Sequence, residues 1–309
     1  VRTPIHQLWM PLAAVSGLLA VWQPATLYLA ALAVFGLPHV LWETAWVWRL
    51  WRDRVPRFVW CGLLAALLLQ AASRLALWLG RIDAPTAAAC DAATLALALL
   101  ATLGVARRLP AGHRVVFVVA ALSLPVALVA VADTPQVFGV LAVLAIAHNF
   151  TPVGLAPPSA CIGAWPARGV LLALFSAPIL LFVVLAFAGA PSASGATRPA
   201  ELGWIQQHAP QWVDALLPAL VWAQCLHYLS VIHLMPRAIG SAWRGMPLRP
   251  LALAASILLL AYFIVDYPAA RGLYAVAAGM HAWLEWPLIL LAVAGFGSRE
   301  PDDCALAAS

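Results

Sequence analysis

Two short segments near opposite ends of the chain carry the same pair of reactive residues. GLPHVLWETAW (residues 36–46) holds His39 and Glu43, and GMHAWLEWP (279–287) holds His281 and Glu285. Residues four apart share one face of a helix, so each carboxylate lies one turn from its imidazole. A carboxylate so placed can ligate the same metal ion, or accept the second ring N–H of its histidine and fix the tautomer. Three further histidines, His148, His227 and His233, also sit inside apolar runs. Imidazole nitrogens and carboxylate oxygens without thiolate suit non-haem iron, manganese or zinc. The five cysteines, at 61, 90, 161, 225 and 304, contain no C-x-x-C and point to neither a disulfide framework nor a thiolate metal site.

The elements that must position these residues are transmembrane helices. Hydrophobic residues make up 64% of the 309-residue chain and charged ones 9%, against about 25% charged in soluble domains. Apolar runs punctuated by Arg, Pro and Gly predict an all-α polytopic bundle of about ten spans. They fall near 4–21, 25–51, 57–80, 84–107, 113–133, 135–156, 167–190, 211–236, 249–266 and 270–296. A single integral membrane domain over 1–309 follows, with an outer loop at about 188–211 and a short cytoplasmic tail at about 297–309. Every basic residue is Arg. With both termini cytoplasmic, thirteen of the seventeen lie inside and Arg81, Arg198 and Arg271 outside, as the positive-inside rule requires; Arg74 lies within a span. The net charge of +5 is therefore read as topology, not nucleic-acid binding, and the expected location is a bacterial inner membrane crossed many times.

In that topology His39, His148, His227 and His281 lie on spans two, six, eight and ten, which all run inward. The first three precede the inner end by nine or ten residues, about 14 Å at the helical rise, with His281 somewhat deeper. Ionisable groups at membrane depth face the bundle interior and find partners, so four helices delivering imidazoles to nearly one level define a candidate metal site. His233 follows His227 by six residues, about 120° round an ideal helix, and joins only if the helix is distorted. Interhelical hydrogen bonding, haem ligation and a proton path are the competing uses of such histidines. His6, His113 and His208 fall at span ends or in the outer loop. Arg74 and Asp91, at similar depth on spans three and four, are expected to pair away from the histidines. Asn149, Thr151 and Gln224 lie near the histidine level, where they can orient ligands or water. Pro152 and the prolines at 157–158 are expected to kink or end span six. Trp42 and Trp283 can wall an apolar substrate pocket, and Trp48 and Trp51 suit an interfacial aromatic belt.

The motifs also carry a family resemblance. GLPHVLWE (36–43) resembles the GLPHGxxD segment of the bacterial and archaeal Brp/Blh-type membrane β-carotene 15,15′-dioxygenases. AIAHNF (145–150) stands where that family has an IHF-type histidine, CLHYLSVIH (225–233) where it has two histidines on one helix, and MHAWLE (280–285) where its last histidine–acid segment falls. The acids here are Glu where the family has Asp, no acid closely follows His148, and the paired histidines are spaced more widely. The resemblance implies non-haem Fe(II) bound by His39, His148, His227 and His281, with His233 as a fifth candidate. Glu43 and Glu285 would be the supporting acids. It also implies dioxygen and an apolar, lipid-soluble polyene or isoprenoid as reactants.

Overall fold

The computed structural model describes residues 8–157, 160–162, 165–189, 201–239 and 249–296. These residues are almost entirely helical. In chain order the helices are α1 (Trp9–Trp22), α2 (Pro24–Trp51), α3 (Arg57–Trp78), α4 (Ala84–Ala101), α5 (Ala111–Val131), α6 (Gln136–His148) and α7 (Thr151–Leu155). They continue as α8 (Ala167–Ala188), α9 (Glu201–His208), α10 (Pro210–Leu229), α11 (Met235–Ile239), α12 (Arg249–Val265) and α13 (Tyr267–Val293). A 3₁₀ stretch, Thr102–Arg108, extends α4, and a π-helical turn, Ser230–Leu234, joins α10 to α11. Cys161–Ile162 and Trp165–Pro166 pair as a two-stranded ribbon. Cys161 is disulfide-bonded, which the scattered cysteine spacing did not suggest.

Helix ends follow local chemistry. Asp83 caps α4 by accepting the Thr86 N–H at 2.9 Å, and Asp266 caps α13 through the Ala269 N–H at 3.1 Å. The hydrogen bonds from Thr86 hold the Asp83 carboxyl below the usual carboxylate range. Pro24, Pro210 and Pro268 open α2, α10 and α13 at positions where a missing N–H costs nothing.

Among the described residues, seven segments are long and apolar enough to cross a membrane: Pro24–Trp51, Arg57–Trp78, Ala84–Arg108, Ala111–Val131, Ala167–Ala188, Pro210–Ala238 and Tyr267–Val293. Three of the ten expected spans correspond to shorter apolar helices, Trp9–Trp22, Gln136–His148 and Arg249–Val265. Span six is short because it breaks after His148. The Thr151 hydroxyl donates to the His148 carbonyl at 2.7 Å, and Pro152 opens α7 beyond the break. Of the outer loop, residues 201–208 are helix α9 and 190–200 lie outside the described residues, as do His6 and the tail at 297–309.

The bundle is apolar on its outside, as a protein solvated by lipid must be. Phe187, Ile264 and Val265 are each at least 80% exposed, whereas Glu43, Asp91, His227 and Glu285 are fully buried. Small residues let helices approach closely. The indole of Trp222 fills the notch at Gly17 and donates its N–H to the Ala13 carbonyl at 2.9 Å, tying α10 to α1. Helix α13 is the central element and packs against α2, α3, α4, α6, α7 and α12. Of the two tryptophans assigned to the interfacial belt, Trp48 is exposed and stacks edge-on with Trp60, while Trp51 is packed into the core.

Candidate metal centre

The site is built from α2, α6, α10 and α13. His39 lies twelve residues before the last residue of α2, His281 twelve before that of α13, and His227 twelve before the end of the continuous α10–π–α11 segment. Three helices thus deliver an imidazole at one height, and His281 is level with the others instead of deeper. Depth follows the helix ends more closely than it follows the arginines. His148 reaches the same layer as the last residue of α6, where the helix breaks.

The four rings form a closed circuit. Centroid separations are 5.2 Å for His39–His227, 4.7 Å for His227–His148, 5.1 Å for His148–His281 and 5.3 Å for His281–His39. One nitrogen from each lies within 4.8 Å of one from every other. The His39 Nδ1 is 3.3 Å from the Phe35 carbonyl. A carbonyl only accepts, so Nδ1 carries the proton and the Nε2 lone pair is free for a ligand bond.

The carboxylates meet the circuit on one side. Glu43 Oε2 is 3.1 Å from His281 Nε2 and 3.4 Å from His227 Nε2. Glu285 Oε2 is 2.7 Å from His148 Nδ1, and its Oε1 is 3.4 Å from His281 Nε2. One oxygen of Glu43 also lies within 4.8 Å of one of Glu285. His39 pairs in height with His281, and Glu43 with Glu285, which requires α2 and α13 to run parallel. Glu43, His281 and Glu285 form a second donor group, again within 4.8 Å of one another. Donors bonded cis to an ion at about 2.1 Å sit about 3.0 Å apart. The observed N–O separations straddle that value.

Both carboxylates are fully buried. Among the described residues their ion contacts are to histidines. The four carboxylate oxygens make no contact with full hydrogen-bond geometry among the described residues, and neither do Nδ1 of His148, both ring nitrogens of His227 or Nε2 of His281. Buried polar groups that meet closely without satisfying one another call for an ion, a water or strain to account for them. This His/Glu group can hold a metal ion.

His233 belongs to neither donor group. It lies in the π-helical turn, so the distortion that its inclusion needed is present. Six residues of helix nevertheless carry it off the face that His227 presents. The Asn149 and Thr151 side chains turn to backbone carbonyls, of Ile146 and His148, and so shape the helix break. Gln224 donates to the Tyr228 hydroxyl at 2.7 Å. Tyr228 itself had no signal beyond its place beside His227. Its ring lies on His39 with centroids 4.4 Å apart and, with the Phe35 carbonyl, fixes that imidazole.

Trp283 faces away from the site. It is buried and donates its indole N–H to the Asp91 carbonyl at 2.9 Å. Arg74 and Asp91 form the expected ion pair, joined by the Gln70 amide at 3.4 Å from Asp91. The pair is not remote from the histidines. The Gln70 side chain packs against Gly279, so the pair lies directly behind α13 at the height of His281.

Comparison of the chain with family models, curated proteins and solved structures finds no match to any of them.

Proposed function

We propose that this chain is a multi-pass inner-membrane metalloenzyme of bacterial type, with ten spans and cytoplasmic termini. In this reading it holds non-haem iron(II) and uses dioxygen to oxidise or cleave a lipid-soluble polyene or isoprenoid. The observation that carries the reading is the circuit of four imidazoles backed by two buried carboxylates whose ion contacts among the described residues are with those histidines. Removing one carboxylate from water is expensive unless a cation meets it. Two face each other here, inside a bundle whose surroundings are lipid.

His39, His148, His227 and His281 are the ligands, His39 through Nε2. Iron(II) in such a set would supply the electrons that activate dioxygen. Glu43 and Glu285 hold the imidazoles in place, balance charge and provide proton acceptors at the inner side of the circuit. Tyr228 and the Phe35 carbonyl keep the His39 ring from turning. The packed apolar wall excludes water and admits an apolar reactant from the bilayer. A carotenoid is the first substrate to test, on the strength of the Brp/Blh-type motifs.

Haem ligation fits the geometry poorly, because neighbouring imidazoles touch and leave no room for a macrocycle between them. The test is elemental mass spectrometry and an absorption spectrum on detergent-purified protein, beside a His39→Ala/His281→Ala variant. Iron without a Soret band, lost in the variant, supports the reading and leads to oxygen-uptake assays with carotenoids. Protein that stays metal-free after iron-replete growth ends it, and turns attention to proton-coupled transport through Glu43 and Glu285.

A further inference from the structure

The two carboxylates do more than a single ion at the four histidines requires. If Glu43 and Glu285 only oriented imidazoles, each would need to meet one histidine, and the two would have reason to stay apart. Instead their nearest oxygens lie within 4.8 Å of each other, fully buried, and together with His281 they close a second donor group. Like-charged carboxylates brought together in a low-dielectric interior need a cation or a shared proton between them.

Glu285 carries the more specific signal. Its two oxygens address different histidines: Oε2 lies 2.7 Å from His148 Nδ1, and Oε1 lies 3.4 Å from His281 Nε2. Its Oε2 thus lies beside a histidine of the four-imidazole group and its Oε1 beside the histidine common to both groups, the arrangement of a bridge between two ions. Glu43 lies at the same junction, with Oε2 between His227 and His281. His281 is the one residue common to both donor groups, and its Nε2 is the atom both carboxylates approach.

Resting on the metal-centre reading above, we infer that the site is dinuclear. One divalent ion is held on the side of His39, His148 and His227. A second divalent ion is held by His281, Glu43 and Glu285, and Glu285 spans the two. Two ions bridged in this way stand about 3.5–4 Å apart, the separation at which a pair can share one small oxygen ligand.

The test strips the detergent-purified chain with a chelator, reloads it with manganese(II), and reads both the metal count and the electron paramagnetic resonance spectrum. The expected result is about two ions per chain with a spin-coupled spectrum. Glu285→Gln should roughly halve the count and restore the six-line signal of isolated manganese(II). Glu43→Gln, a second route to the same end should the first variant not fold, should weaken the second ion selectively. One ion per chain with an isolated signal, unchanged in either variant, overturns the dinuclear inference and leaves the carboxylates sharing a proton beside a mononuclear centre. Wild-type protein that binds no manganese overturns the metal-centre reading as well.

Discussion

Helix α13 separates two buried polar clusters, and their difference locates the chemistry. On one face His281 and Glu285 join His39, His148, His227 and Glu43. On the other, Gly279 and Trp283 meet Gln70 and Asp91, with Arg74 completing the group. Both lie at the same height among apolar helices. In the second cluster a carboxylate is answered by a guanidinium from the next helix, so the protein balances the charge with its own side chains. In the first, two carboxylates face histidines and each other. Burial alone therefore does not mark a functional site. Buried charge that the chain leaves for something else to neutralise does.

If that contrast is right, the two faces respond differently to mutation. The largest effect is expected from His39→Ala, which should lower metal affinity more than about 100-fold, beyond the loss that outer partners of a ligand usually produce. Its thermal stability in detergent should change little, as measured by a thermofluor melt. Asp91→Ala should do the reverse. It strands Arg74 and should destabilise the fold by about 3 kcal/mol, at the low end for a broken buried pair because the Arg74 side chain is 30% exposed. Metal content should hold, and adding Arg74→Met should recover most of the lost stability. Metal loss in Asp91→Ala equal to that in His39→Ala would show that the two faces are one coupled unit.

Glu43→Gln sharpens the comparison within the first cluster. Affinity for the ion beside Glu43, measured by competition with a chromogenic chelator, should fall about 10- to 100-fold, less than the loss in His39→Ala. An equal loss would make Glu43 as strong a ligand as the histidine. The smallest effect is expected from Tyr228→Phe, which keeps the ring on His39 and removes the hydroxyl that Gln224 bonds. It should lower stability by about 1 kcal/mol and leave metal content unchanged.

Most of the candidate site is legible in the chain as written. Composition and apolar run lengths are enough for an all-helical membrane protein, because lipid leaves the backbone no alternative to internal hydrogen bonding. The H-x-x-x-E spacing puts each acid one turn from its histidine through the geometry of one helix, but the acids turn to other helices: Glu43 meets His227 and His281, and Glu285 comes closest to His148. The prolines after His148 mark the break in span six, and matched depth pairs Arg74 with Asp91. These are local properties, fixed within a few residues or by position along one axis.

What the tertiary structure decided is rotation and adjacency. The order of the histidine circuit, the approach of Glu43 to Glu285, the place of His233 outside both donor groups and the stacking of Tyr228 on His39 all depend on how each helix turns about its own axis. That azimuth is set by distant packing, such as the indole of Trp283 bonding the Asp91 carbonyl from 192 residues away and the Gln70 side chain seated at Gly279. Periodicity within a helix names the face on which a residue lies. Only contacts between helices decide what that face meets, because the sequence encodes them through side chains far apart in the chain.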